Sequence, residues 1–519
     1  MKNIYIFFAL LGIAAFSACT NPFTGGNGGE GTIRLDITPP SQNTPQTLEA
    51  DSIGFAPLSA INPGEWEDII HKITLSGPGE TIVYHLTGAR TVNFTVRHGN
   101  WDVTILALGP RPAGALAAPG FPDAFPDEFP GMIVRAVGHT NGPVQVRAGQ
   151  IASRGISMTM AIGVATIQQL NLALTWANGG TGRTVRLIRN IDDASGWTTP
   201  INLTNATFDG GGHTIRGLET NLFGTINGGT VRNLRLVDVE IDIDAPVGAL
   251  AMANAIGSTV ENVSVSGLVR GGAEVGGIVG RNNGTVRNVS VSGTVIGATN
   301  TVGGVVGQNL LGAYVLNSTV RAVVSGSGDS VGGVAGINNG TVEASFATGP
   351  VNSGNNNVGG VAGMNNGIVQ NSFAIGNIEG RDATGGVVGS NQGRVENVFA
   401  TGNVIGYNNV GGIVGENSAS GIAIENSVAL NPSVTAIQAG GNVGRIAGLA
   451  PAGLSNNHAR NTMTLRRGGT TYTITPIGPN TIHGANAGQF NTQTFWVGLG
   501  WNFADIWRWD AGAWQPRLR

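Results

Sequence analysis

The sequence predicts an all-β protein, with an N-terminal β-sandwich followed by a parallel β-helix of rungs about 27 residues long and a C-terminal aromatic cap. Three observations predict it. A glycine-rich segment recurs at near-constant spacing through the second half of the chain. Short β-branched runs broken by Gly, Asn and Ser stand where a helical period would otherwise run. Five tryptophans, Trp496, Trp501, Trp507, Trp509 and Trp514, gather at the end.

The order along the chain gives five segments: 1–18, 19–30, 31–162, 163–450 and 451–519. In the first, Lys2 precedes an apolar run from Ile4 to Phe16, shorter than the roughly 20 residues that span a bilayer, which makes it a signal peptide rather than a membrane helix. It closes on Phe16, Ser17, Ala18 and Cys19, similar to the bacterial lipobox except that Phe16 stands where Leu is usual. Cys19 is the single cysteine of the chain, so it is the candidate lipidation site and the membrane is a partner through that lipid. Thr20 follows it rather than Asp, and resemblance to diderm lipoproteins then implies an outer-membrane lipoprotein exposed at the cell surface. Residues 19–30, rich in Gly and Asn, read as a flexible tether.

Residues 31–162 carry eight short alternating runs, from Thr32–Ile37 to Ile156–Met160, with turn residues between them. That spacing suits two packed sheets. The run Gly99 to Ile105 resembles a strand of immunoglobulin-like or transthyretin-like spacer domains. A segment dense in Pro and Phe, Gly109 to Gly131, interrupts the pattern and is expected to wrap a sheet edge. Thr166 and Gln169 form a capping box ahead of an apolar stripe, Ile167, Leu170 and Leu174, so a helix is expected there, placed to cover the first rung of the β-helix. Asp209, beside three glycines, reads as a turn residue rather than as an acid partnered by His213.

The repeat itself runs Val-Gly-Gly-[Ile/Val]-[Val/Ala]-Gly-x-Asn-x-Gly-x-Val-x-Asn. Its leading glycines fall at Gly248, Gly276, Gly303, Gly332, Gly359, Gly385 and Gly411, in steps of 26 to 29 residues. Such a period marks a solenoid, in which each unit buries its apolar face only against its neighbours. Glycines this dense cost a helix roughly 1 kcal/mol apiece, whereas the Val and Ile runs between them favour strands. Alignment on the glycines creates two asparagine columns. One holds Asn233, Asn262, Asn288, Asn317, Asn371, Asn397 and Asn426, interrupted by Ala344; the other holds Asn254, Asn282, Asn309, Asn338, Asn365, Asn391 and Asn417. An amide has both donor and acceptor, so stacked Asn side chains are expected to serve structure.

These residues resemble the GLUG motif, a glycine-rich repeat of bacterial surface proteins and of some immunoglobulin A peptidases. The resemblance spans about Val247 to Gly448, with Ala249 and Met252 replacing glycines in the first copy and Arg445 departing in the last. It implies a surface-exposed β-helical stalk or binding module. The peptidases carry their chemistry in a separate zinc domain, and no His-Glu-x-x-His occurs in this sequence.

Charge narrows the function further. Charged residues make up 11% of the chain, the net charge is −3, and Lys2 and Lys72 are its only lysines. No basic stripe exists to hold phosphates, which argues against nucleic acid as a partner. The sharpest chemical candidate is the run Val237 to Asp244, whose alternation puts Asp238, Glu240, Asp242 and Asp244 on one face. Four carboxylates in line are a possible calcium site or the acids of a polysaccharide-cleaving enzyme. They are equally what a half-exposed strand requires, and the aligned run of the next rung, Val263 to Arg270, offers no matching acids. The expectation is therefore a lipid-anchored surface rod for adhesion or ligand binding, not an enzyme, with no cofactor and with an extracellular glycan or protein as partner. The alternative is a secreted polysaccharide lyase or glycoside hydrolase on the same scaffold.

Overall fold

The computed structural model describes residues 30–38, 68–88, 91–110, 132–139, 143–157, 159–418, 424–513 and 515–519. Cys19, the signal segment, nearly all of the tether, most of the Pro- and Phe-rich insert and Trp514 lie outside the described residues. The chain divides into two compact units, one ending at Ile188 and the other running from Arg189 to Arg519.

The first unit is built from alternating strands whose inward residues meet. Glu30–Thr38 pairs antiparallel with Thr91–Arg97 and parallel with Ile151–Ser157. Ile70–Gly77 lies between Glu80–Thr87 and Gly99–Pro110, and the latter pairs onward with Met132–His139. Ile33, Leu35, Ile73, Leu75, Phe94, Trp101 and Ile105 fill the space between the sheets. Trp101 is fully buried, with its indole N–H donating to the Arg97 carbonyl at 2.8 Å, so the large ring is enclosed without an orphaned donor. The helix Ile167–Asn178 starts at the capping box, where the Gln169 amide N–H donates to Thr166 Oγ1. Its buried stripe packs within this first unit, beside Thr159–Val164 and Thr184–Leu187. The helix thus belongs to the sandwich side of the boundary, because the parallel pair those two strands form gives its apolar face a surface there.

In the second unit the sequence repeat becomes a parallel β-solenoid. One rung shows the plan: Val331–Gly332, Ala335–Asn338, Thr341–Glu343, Phe346–Ala347 and Val351–Ser353. Each strand sits in register on its counterpart one repeat later, Val331 on Val358, Ala335 on Ala362, Val342 on Val369, Phe346 on Phe373 and Val351 on Ile378. Val331, Val334, Val342 and Val351 point inward and are fully buried. At about 1.5–3 kcal/mol for each such side chain, these columns supply most of the stabilisation of a rung. The glycine pair is needed for space. A Cβ on Gly332 would overlap the Ala335 carbonyl oxygen, and one on Gly333 would overlap the Gly360 carbonyl oxygen of the next rung.

The last copy breaks the rule because no further repeat stacks on it. Arg445 takes the place of the second glycine, one residue after the Gly411–Gly444 register pair. Its guanidinium is buried and donates to the carbonyls of His483 at 2.7 Å and Gly484 at 2.9 Å, and to Asn486 Oδ1 at 2.8 Å. The aromatic segment then turns back along the flank of the solenoid. Phe346, Phe373 and Phe399 form a stacked column, with successive centroids 4.6 and 4.7 Å apart, and Trp496, Trp501 and Trp507 pack over it. The C-terminal aromatic cap therefore shields a lateral Phe stripe, while Arg445 and the segment around His483 close the final rung.

Candidate functional site

The two asparagine columns occupy different environments. Asn254, Asn282, Asn309, Asn338, Asn365, Asn391 and Asn417 are all buried. From Asn254 to Asn391 each Nδ2 donates at 2.8 Å to the Oδ1 of the next rung. Asn417 ends the series by donating to the Ala452 carbonyl at 3.0 Å. This is a closed internal stack, enclosed by the fold and unavailable to a ligand.

The other column, from Asn233 to Asn426, marks a corner of the rung. All seven of its asparagines have φ between +49° and +55°, a left-handed conformation that Asn tolerates better than most residues. Ala344, at +49°, adopts it as well. Near the start, Asn288 donates to Asn262 at 3.3 Å, Asn262 to Asn233 at 3.1 Å, and Asn233 to Asp209 Oδ1 at 3.3 Å. Asp209 is buried and also accepts the Gly211 N–H at 2.9 Å, so it closes a turn and terminates the column. Asn262, Asn288 and Asn317 are exposed, whereas Asn371, Asn397 and Asn426 are partly or wholly covered. The covering element is the C-terminal segment, whose Trp501 indole N–H donates to the Asn426 carbonyl at 2.9 Å.

The exposed part of this column forms the floor of a groove. A shallow stretch runs past Asn233, Arg235, Asn262 and Asn288. It continues through Asn288 into a cavity of about 570 Å³ between the rungs of Asn317 and Ala344 and the C-terminal residues Asp505, Ile506, Leu518 and Arg519. The tail so forms a wall across one end of the groove. Sequence reading located the column but not the wall, whose residues are far from it along the chain; the Ala344 interruption was the available signal.

The four acids do not converge. Asp238, Glu240, Asp242 and Asp244 are all exposed. Asp238 adopts φ +52° and pairs with Arg216, and the strand register shifts between Leu236 and Val239. Asp242 faces Arg270 of the next rung at 3.4 Å. Among the described residues no group of three or more His, Cys, Asp or Glu side chains is placed to hold a metal ion. A different set of acids does share a partner: Arg394 bonds Glu396 at 2.8 Å and Glu425 at 2.9 Å. Burial, opposed by Arg394 and reinforced by Glu425, holds the Glu396 carboxyl above its usual range.

Family comparison then bears on two stretches. Residues 380–405 match the model of the GLUG motif. The copy around Gly385 is a GLUG motif. Residues 202–267 match the N-terminal region of the M26 IgA1-specific metallo-endopeptidases. Among proteins of curated function, none matches the chain in sequence. Two solved structures are similar to this chain. One is a candidate immunoglobulin A1 protease from Bacteroides ovatus, 18% identical over 69% of this chain and 92% of the other, with a TM-score of 0.30. The second is an IgA1 protease, 14% identical over 80% of this chain and 32% of the other, with a TM-score of 0.35. Alignments at these scores carry no shared activity.

The expectation that this chain is not an enzyme is corrected by the family match. Residues 202–267 match the N-terminal region of a metallo-endopeptidase family; the repeat itself pointed toward immunoglobulin A peptidases, but the lack of a His-Glu-x-x-His sequence argued against the activity. The matched family is metal-dependent by its description, yet the described residues of this chain do not fit a metal centre: the one acidic run is spread along an exposed strand and engaged with Arg216 and Arg270. No step through a metal follows from this geometry.

Proposed function

We propose that this chain is an outer-membrane lipoprotein whose β-helical rod captures an immunoglobulin-type protein outside the cell and takes part in its proteolysis. The observation that carries this reading is the match of residues 202–267 to the N-terminal region of the IgA1-specific metallo-endopeptidases. That stretch also contains Asn233, Arg235 and Asn262, which line the open groove. The lipobox at Cys19 supports display at the envelope, and the stacked solenoid supports a rigid surface able to hold an extended ligand.

Incubating the full chain with immunoglobulin A1 tests it. Capture with cleavage that a chelator stops supports a peptidase role, and capture without cleavage supports a targeting role. If the immunoglobulin is neither retained nor cut, the reading is wrong.

A further inference from the structure

The outer asparagine column has one interruption, and it falls in the wall of the cavity beneath the C-terminal segment. Ala344 keeps the left-handed backbone of its column, φ +49°, although Asn suits that conformation better and occupies it in the rungs on both sides. Local backbone preference therefore does not account for alanine. An amide side chain here would extend into the cavity lined by Asn317, Ala344, Phe346 and Arg519, which alanine leaves open.

Three features of that cavity point to one ligand chemistry. Phe346 stacks on Phe373 with an interplanar angle of 5° and is half-buried, leaving its other face toward the Thr319 rung, with which it is in register. An aromatic face of this kind suits the apolar C–H face of a pyranose. The exposed Asn317 amide has no side-chain partner among the described residues, and Thr319 adds a hydroxyl, so the floor offers neutral donors and acceptors beside one carboxylate, Glu343, which accepts from Asn371 Nδ2 at 3.3 Å. Backbone groups are already spent within the rod, since Thr319 N–H bonds Val289 O, Phe346 N–H bonds Ser318 O and Asn317 N–H bonds Glu343 O. On the solenoid floor an extended peptide would find no strand edge to pair with.

The volume, about 570 Å³, lies within the roughly 300–1,000 Å³ typical of small-ligand sites. Rungs repeat about every 4.8 Å, close to the length of one sugar residue, so amides along the groove fall in step with a linear glycan. Asp505 and Arg519 stand across its end. We infer that this cavity binds the terminal residues of a neutral, unbranched oligosaccharide, with Phe346 as stacking platform, Asn317 and Asn288 as hydrogen-bonding floor, and the C-terminal segment as the stop that selects a chain end. The site goes beyond the proposed proteolytic role and does not depend on it.

The test is titration of the full chain with cellotetraose, chitotetraose and mannotetraose, and with a proline-rich peptide of similar length. Saturable binding of at least one oligosaccharide is expected. Ala344→Asn should weaken it at least tenfold while melting no lower than wild type, because it restores the residue of the neighbouring rungs. Arg519→Ala, on the wall, should weaken it as well; because Arg519 also donates to the Trp507 carbonyl at 3.1 Å and the Phe503 carbonyl at 2.7 Å, its melting midpoint is measured alongside to separate lost contact from a loosened tail. Unchanged affinity in both variants, binding of the peptide alone, or no binding of any of the three sugars would overturn the inference. Capture of immunoglobulin A1 by Ala344→Asn, measured alongside, separates its failure from that of the proteolytic reading.

Discussion

Asn338 and Asn365 lie one above the other on consecutive rungs, the Nδ2 of the first donating to the Oδ1 of the second at 2.8 Å, with both side chains fully buried. Asn338 also donates to the Ile368 carbonyl at 2.9 Å. Each amide is therefore at once the donor for one rung and the acceptor for another.

Removing one of these amides leaves partners unpaired where water cannot reach them. Asn338→Ala should destabilise the solenoid by about 1–3 kcal/mol. Asn288→Ala, on the exposed column, should cost less, because its partner Asn262 is open to solvent. Denaturant midpoints of the two variants check the order, and equal losses would contradict it.

Acid should weaken the end of the solenoid. His483 is fully buried, and burial, aided by the neighbouring Arg445, lowers its pKa from 6.5 to about 4. The unfolded chain takes up this proton near pH 6.5 and the folded chain only near pH 4. The stabilising contribution is then complete above pH 6.5, falls as pH drops through that window, and levels off below about pH 4. Melting midpoints of wild type and His483→Phe between pH 7 and 4 test it: the variant should show the shallower decline.

Replacing Asp238, Glu240, Asp242 and Asp244 together with Ser should change stability by no more than about 1 kcal/mol, since the two arginine pairs they make are at the surface. Calcium should leave the wild-type midpoint in place. A calcium-dependent rise that disappears in the quadruple variant would show that the carboxylates hold the ion.

Cys19→Ala should release the protein from the envelope. Labelling cells with a fatty-acid analogue and fractionating them is the check. Unlabelled, soluble wild-type protein would end the lipoprotein reading.

Much of the fold was legible because a repeat converts residue identity into position. Once Gly332, Gly359 and Gly385 are aligned, Val342 must stack on Val369 and Asn338 on Asn365, and the structure places them so. The acidic run was legible in part: alternation puts its four carboxylates outward and all four are exposed, but the register shift between Leu236 and Val239 and the left-handed Asp238 break the regular strand that alternation assumes. The helix after the sandwich was legible from its capping box, but not the surface it packs on, because an apolar stripe does not name its partner.

The sequence by itself determined the solenoid, its period, its glycine contacts and the two amide columns, since each depends on neighbours one repeat apart. Only the tertiary structure decided which column is internal and which lines a groove. It also decided that Trp496, Trp501 and Trp507 cover the flank at Phe373 and Phe399, and that a cavity opens at Ala344. Those outcomes rest on contacts such as Trp501 with Asn426, 75 residues apart. No periodicity encodes them; they follow from a non-repeating tail packing on the Phe346, Phe373 and Phe399 stripe of the repeats.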